Sequence, residues 1–463
     1  MELELKWDLD ERRENAVERM GERNIEDLVE TEREMRAGER YKECNIEKRK
    51  ENGGERLKWE GEWAKWEYNG SCKRDETEKE RDAGMGAVLR KLHKKIDHND
   101  VEAAHRVNQA KRADQGRHEC EVLSCGREAA ESEYTWKICT KNPGHHKFIP
   151  APEFRLDHLP KWGRHSLVLK YVQLVSALTV RLRVAFTSWE RPEGYTFYNY
   201  RGSDDLQVAS GFVQDVYRGH GPCPCPKCKN SLTAAQEWFC VNIETACHVV
   251  FDTTEAEATK ADAFYDDDSS QNRGRMKTLF GLDTMVQSQD KDFCVLLCAT
   301  HDKLLGQELL QYKEELDKTL NLKRWREDNL DDYAYFLCLI VSHPHGRAKH
   351  ITVGETEKFI KDEAFIKVRY STDTCCGSSG APVSIVNFSK GNDDLCLYKG
   401  RGPHSETLCV EGKTLNMSTS ITNGLKLSGP QWCGRMRDKR VPVDVRSDTL
   451  STVPPRPNYF RFI

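Results

Sequence analysis

The chain has 463 residues, a formal net charge of −4 and a charged fraction of 32%. This length predicts two or three folded units, and the balanced charge excludes the strongly basic surface typical of proteins that bind nucleic acid or anionic membranes. The absence of an 18-residue apolar run excludes a membrane-spanning helix. The start, MELELKWDLDERR, lacks the apolar segment of a secretory signal. We therefore expect an intracellular, cytoplasmic protein whose 18 cysteines are reduced or bind metal.

Charge is concentrated in residues 1–115, since 28 of the first 50 residues are Asp, Glu, Lys or Arg. This composition predicts a solvated arm that is partly helical or disordered. A coiled coil that mediates self-association is the alternative, although no heptad pattern is sustained over three or four turns.

Cysteines and histidines recur outside the arm without a recognisable ligand spacing. The linker region 116–165 carries CEVLSC, which contains Cys120 and Cys125, followed by Cys139 and the pair His145 and His146. Zinc is one interpretation, but free thiols are favoured because the spacing matches no known signature. His343 and His345 in SHPHG are flanked by Pro and Gly, which favours a turn over a metal site.

From residue 178 onward the pattern is that of β-strands. LTVRLRVAFTS alternates between apolar and other residues, which predicts a half-buried antiparallel strand. Further predicted strands are SGFVQDVY, EWFCVNIETA, DFCVLLCAT, AYFLCLIVS, AFIKVRYST and APVSIVNF. Many short strands indicate a mainly β sandwich or barrel. One helix is predicted midway, from the spacing of Leu305, Leu309, Tyr312, Leu316 and Leu320.

The segment DTCCGSSGAPV, residues 373–383, combines two glycines and two serines in one tight turn. A nucleophilic serine needs a base to take its proton and donors for the oxyanion that forms. Ser379 is the candidate nucleophile. The N–H groups of Gly377 and Ser379 can converge if Gly377 adopts a conformation open mainly to glycine.

Two candidate partners for this serine lie beside predicted strands. His248 in ETACHVVF follows one strand, and Asp292 in KDFCVLL precedes another. The chain order His, Asp, Ser is that of the catalytic triad on double β-barrels. Alternatives remain for each: a hydrogen-bonded histidine in a turn, a capping aspartate, and Asp290 or Asp302 as competing carboxylates.

Residues 165–420 resemble the trypsin/chymotrypsin-like serine proteases in TACHVV, DFCVLL and GSSGAPV. Together with GPCPC and SHPHG, these motifs are similar to those of uncharacterised invertebrate proteins with a trypsin-like domain. The resemblance implies two six-stranded antiparallel β-barrels, at 166–302 and 333–425, with a helical linker at 303–326. After this domain, 426–463 is expected to be an extended tail.

The resemblance also implies a serine endopeptidase that cleaves protein or peptide substrates through an acyl-enzyme. His248 would be the general base, Asp292 would fix its tautomer, and Ser379 would be the nucleophile, with Gly377 and Ser379 as oxyanion donors. Ser378 stands where secreted members carry an Asp that pairs with a new N-terminus, so that zymogen switch is not expected. The alternative is a catalytically inactive protease-fold protein that binds peptides or partners.

Two residues are candidates for substrate binding by the same resemblance. Asp373 lies six residues before Ser379, where the floor of the primary specificity pocket is expected, and a carboxylate there would favour Lys or Arg in the substrate. The alternative for Asp373 is a surface turn. His404, in GPHSE, would lie on the strand that pairs with the substrate backbone.

The segment HGPCPCPKC brings three soft ligands together. Cys223, Cys225 and Cys228 can reach one tetrahedral metal ion, and His220 or Cys240 could supply the fourth ligand. We expect a structural zinc here, with a metal-free loop as the alternative, and no cofactor for catalysis.

Overall fold

The computed structural model describes residues 98–421, except for 230, 232, 268, 270–273, 323–332, 363–364, 390–394, 398–401 and 411. The chain divides into two compact units, residues 1–102 and 103–463. Most of the predicted arm, its coiled-coil alternative and the predicted tail lie outside the described residues. Among the helices described, none has the length and apolarity needed to cross a bilayer.

The first barrel consists of β3 (Thr179–Val184), β4 (Leu206–Arg218), β5 (Phe239–Thr245), β6 (Thr259–Ala263), β7 (Lys277–Ser288) and β8 (Phe293–Thr300). The strands are antiparallel neighbours in the order β4-β3-β6-β7-β8-β5, and β5 pairs back with β4. This last pairing closes the sheet into a six-stranded barrel.

β3 shows how the alternating sequence builds this barrel. Val180, Leu182 and Val184 are fully buried, as the apolar half of the pattern predicted. The other face was expected to be exposed, but Arg181 is only 6% exposed and forms an ion pair of 2.8 Å with Asp262. A buried charge is tolerated because it is paired.

The second barrel consists of β9 (Tyr333–Ser342), β10 (His350–Asp362), β11 (Phe365–Tyr370), β12 (Pro382–Ser389), β14 (Gly402–Val410) and β15 (Lys413–Ile421), with the short β13 (Leu395–Leu397) paired to β12. The order is β11-β15-β14-β12-β9-β10, and β10 pairs back with β11. The fold is therefore two six-stranded antiparallel β-barrels.

The chain before the barrels contacts both of them. It forms α1 (His98–Asp114), β1 (Glu121–Leu123), α2 (Glu128–Lys137) and β2 (Ile149–Pro150). β1 pairs with β4 of the first barrel, and β2 pairs with β10 of the second. Residues just before β1 are thereby brought to the region between the barrels.

Two longer helices pack against each other: α3 (Ser166–Leu178), which the sequence analysis did not predict, and α6 (Lys303–Leu322), which it did. Leu305, Leu309, Leu316 and Leu320 form the buried stripe of α6. Burying each leucine contributes roughly 1.5–3 kcal/mol relative to exposure. Short helical turns lie at α4 (Pro226–Lys229), α5 (Thr253–Glu257), Pro143–His145, Ala151–Glu153, Leu156–His158, Lys161–Gly163, Tyr198–Tyr200 and Pro344–Gly346.

Candidate active site

Three side chains from the two barrels form one hydrogen-bonded row. His248 lies in the turn after β5, Asp292 directly before β8, and Ser379 in the loop before β12. His248 Nδ1 is 2.7 Å from an Asp292 carboxylate oxygen, and His248 Nε2 is 2.7 Å from Ser379 Oγ. With Nδ1–H donating to Asp292, Nε2 is free to accept the serine proton.

Asp292 is fixed by more than the imidazole. Its carboxylate also accepts the backbone N–H of His248 at 2.9 Å and the hydroxyl of Ser405 at 2.7 Å. The backbone of Asp292 is left-handed, with φ of 49°. Such a conformation is uncommon for a non-glycine residue and is found where the surrounding structure holds it in place.

The surroundings of the pair keep the imidazole neutral and the carboxylate ionised. Burial, opposed by Asp292 and reinforced by the neighbouring His118, lowers the pKa of His248 to about 4. Burial would raise the pKa of Asp292, but its interactions with His248, His118 and the Ser405 hydroxyl outweigh burial and hold that pKa below its usual value. At neutral pH this histidine is a proton acceptor.

The loop around Ser379 aims two backbone donors at one point. Gly377 and Ser379 donate their N–H groups to the same oxygen, the carbonyl of Glu119, at 2.6 and 3.3 Å. Gly377 has φ of 92°, and a Cβ added there would lie 2.3 Å from the carbonyl oxygen of His343. Only glycine fits this position, so the converging donors depend on it.

A buried ion pair supports the histidine turn. Arg191 and Glu255 are both fully buried and pair at 2.7 Å, and an Arg191 N–H donates to the carbonyl of His248 at 3.0 Å. This pair could not be predicted from the sequence, because Arg191 lies in a loop and its partner is 64 residues away along the chain. No local pattern indicates that either residue is buried.

The two candidate substrate-binding residues have different surroundings. His404 is fully buried, with Nε2 2.9 Å from the carboxylate of Glu119 and Nδ1 2.7 Å from the hydroxyl of Tyr370. Asp373 instead pairs at 2.8 Å with Lys147, whose side chain is 72% exposed. The pairing favours the surface-turn interpretation of Asp373 over the pocket-floor interpretation.

The cysteine loop and one histidine form a cluster that could hold a metal ion. The Sγ atoms of Cys223, Cys225 and Cys228 lie 3.7, 3.4 and 3.4 Å from His301 Nδ1. All four ligand atoms lie within 4.8 Å of one another.

The fourth member of this cluster, His301, differs from the residues that the sequence prediction offered, His220 or Cys240. Pairing of β5 with β8 places Thr300 opposite Phe239. His301, the next residue, is thereby delivered to the cysteine loop. This position follows from strand pairing, so ligand spacing along the chain could not reveal it.

A second cluster joins the linker region to the second barrel, and its members are Cys139, His145, His345 and Cys375. The sulfurs of Cys139 and Cys375 are 3.3 Å apart, and the Nε2 atoms of His145 and His345 are 3.2 Å apart. Glu121 accepts from His345 Nδ1 at 2.7 Å, an arrangement that orients metal-ligating histidines. SHPHG forms the predicted turn, but it also places His345 in this cluster.

No protein-family model matches the chain, and no curated protein matches it. Among solved structures, the inactive form of the Rv3671c protease from M. tuberculosis is 12% identical with a TM-score of 0.27, and the match covers 54% of this chain and 86% of that chain. Catalytically active tobacco etch virus protease complexed with product is 13% identical with a TM-score of 0.26, over 58% of this chain and 80% of that chain. The double-barrel fold itself follows from the strand pairing of this chain.

Proposed function

We propose that this protein is a serine endopeptidase that hydrolyses peptide bonds through an acyl-enzyme on Ser379. The observation that carries the proposal is the hydrogen-bonded row of Asp292, His248 and Ser379, with two backbone N–H groups converging on one carbonyl oxygen beside the serine. Nucleophile, base, orienting carboxylate and oxyanion donors are the four parts that acyl transfer requires.

The reaction follows from these positions. Ser379 Oγ attacks the substrate carbonyl carbon while its proton passes to His248 Nε2, and the N–H groups of Gly377 and Ser379 stabilise the oxyanion. The imidazolium then protonates the leaving amine as the C–N bond breaks. Water, deprotonated by His248, hydrolyses the ester and restores the serine. Each oxyanion donor of this kind lowers the barrier by about 2.7–4 kcal/mol.

A second candidate function is a catalytically inactive protease fold that binds peptide-like segments. The observation in its favour is that the donors already bind the chain's own Glu119 carbonyl, while His248 and Ser379 are fully buried. The two functions differ in whether a peptide bond is broken.

Hydrolysis of an unfolded protein substrate by the full-length chain tests the proposal. We expect wild type to release peptides, Ser379→Ala and His248→Ala to release none above background, and Ser384→Ala to behave as wild type. Ser384 is a matched control because it is buried on β12 and its Oγ has no hydrogen-bond partner among the described residues. Equal peptide release by wild type and Ser379→Ala would contradict the proposal and favour the binding function.

We further propose Zn²⁺ as the occupant of the cluster of Cys223, Cys225, Cys228 and His301. Three thiolates and one imidazole within reach of a single ion match the tetrahedral structural sites that zinc prefers. The ion would tie the loop before β5 to the end of β8, without a role in the chemistry at Ser379.

A further inference from the structure

Residues 117–119 lie along the candidate active site in the manner of a bound peptide. The carbonyl of Arg117 accepts the N–H of Thr407 on β14 at 2.9 Å. The ring of His118 stacks on His248 with centroids 3.8 Å apart, and His118 Nδ1 donates to the carbonyl of Ser405 at 2.9 Å. The segment is therefore held by backbone and ring contacts to β14 and to the turn that carries His248.

Glu119 places its carbonyl at the reacting position. Its oxygen accepts the N–H groups of Gly377 and Ser379, and its own N–H donates to Ser379 Oγ at 2.9 Å. The residue that follows this carbonyl is Cys120, and the chain then continues into β1, which pairs with β4. The peptide bond between Glu119 and Cys120 is thus the bond presented to Ser379.

The side chain of Glu119 lies in a pocket that recognises its charge. It is buried and bonded to Lys141 and to His404 Nε2. The carboxylate can only accept, so Nε2–H of His404 donates to it, while His404 Nδ1 lies 2.7 Å from the Tyr370 hydroxyl. Burial would raise the pKa of Glu119, but Lys141 and His404 hold it well below its usual value. The pocket therefore holds an anionic side chain.

We propose that the substrate subsite at His404 and Lys141 selects glutamate, and that the bond between Glu119 and Cys120 is this protein's own first substrate. This inference rests on the proposed endopeptidase activity. Ser379 Oγ bonds to the Glu119 carbonyl carbon and gives its proton to His248, which passes a proton to the Cys120 nitrogen as the C–N bond breaks. Water then hydrolyses the ester. The products are residues 1–119 with a new carboxylate and residues 120–463 with a free N-terminal cysteine.

Contacts on the leaving side slow this cleavage. The Gln115 side chain donates to the Cys120 carbonyl at 2.9 Å and accepts the Cys120 N–H at 2.7 Å. The residues after Cys120 are held by β1, whose side chains are buried. If the Cys120 amine is retained beside the acyl-enzyme, it attacks the ester again and restores the peptide bond. Gln115→Ala removes the side chain that holds Cys120, so the amine leaves and net cleavage is faster.

The full-length chain, incubated after purification, tests the proposal. Intact mass gives the cut position, and a cyanobenzothiazole reagent, which reacts with 1,2-aminothiols, labels the N-terminal cysteine of the second fragment. We expect wild type to be cut after Glu119, faster in Gln115→Ala and not at all in Ser379→Ala. Glu119→Gln, which removes the charge, slows the cut roughly 10- to 100-fold, the value of a hydrogen bond to a charged group. Glu133→Gln is the control, since Glu133 is an exposed glutamate on α2.

Peptides supplied in trans separate this inference from the proposed function. Matched peptides with Glu, Gln or Lys before the cleaved bond are incubated with Gln115→Ala, and cleavage after Glu alone supports the pocket assignment. Cleavage after Lys or Gln as fast as after Glu overturns it. If peptides are cut while the bond after Glu119 stays intact in wild type and Gln115→Ala, self-cleavage is refuted and the endopeptidase function stands. If no variant cuts any peptide or itself, the endopeptidase function fails.

Discussion

Replacing Gly377 by alanine tests whether the backbone of the serine loop builds an oxyanion site. Gly377 has φ of 92°, and its new Cβ would lie 2.3 Å from the His343 carbonyl oxygen and 3.0 Å from the His345 nitrogen. Both neighbours are backbone atoms, so the loop must move and its N–H must turn away. Losing one oxyanion donor costs about 2.7–4 kcal/mol of transition-state stabilisation, or roughly 100- to 1,000-fold in turnover.

A second glycine offers a control for backbone conformation alone. Gly412 has φ of 77°, and nothing lies within 4 Å of the Cβ that an alanine would add. Gly412→Ala therefore carries the left-handed cost of about 1–2 kcal/mol with no effect on the serine loop. The assay is peptide hydrolysis, with thermal unfolding measured on each variant. A folded Gly377→Ala protein that retains activity within a few-fold of wild type and of Gly412→Ala would refute the oxyanion assignment.

Three further predictions concern the base, a buried pair and the metal cluster. The neutral form of His248 accepts the proton, and its pKa is lowered to about 4 in the intact chain. The rate of self-cleavage should therefore stay constant as the pH falls from 7 and reach half its value near pH 4. A rate that halves near the ordinary histidine pKa of about 6.5 would contradict this. Arg191→Met leaves Glu255 buried without its partner and should lower the free energy of unfolding by roughly 3–5 kcal/mol in denaturant titration, and a loss below 1 kcal/mol would show that the pair is dispensable. His301→Ala should lower the zinc content by about one ion per chain, as measured by elemental analysis, while His220→Ala keeps the wild-type content; the reverse pattern would restore the original fourth-ligand prediction.

The local parts of the fold and site were accessible from the sequence. The alternation of apolar and polar residues in β3 is visible within six residues, and the leucines of α6 recur at helical spacing within one helix. The side chains of His248, Asp292 and Ser379 lie at the ends of recognisable strands, so their short motifs and chain order were sufficient to nominate them. The structure brings these three side chains together.

The other features of the site depend on contacts between segments that are far apart in the chain. Such contacts cannot be read from a single sequence. His301 reaches the cysteine loop only through the register of β5 on β8. Glu119 meets His404, which is 285 residues away, because β1 joins the first barrel and draws the preceding residues across the site. Helix α3 was missed because its apolar run is continuous with β3, and a short buried helix and a buried strand have similar composition.

The most direct test of the central claim is active-site labelling of the full-length protein with a fluorophosphonate, followed by peptide mapping. Because the Glu119 carbonyl occupies both backbone donors, labelling is followed over time and compared between wild type and Gln115→Ala. We expect the phosphonyl group on Ser379, faster labelling in Gln115→Ala, and no labelling in His248→Ala. A folded protein in which Ser379 stays unmodified in both wild type and Gln115→Ala would contradict the claim that this serine is an activated nucleophile.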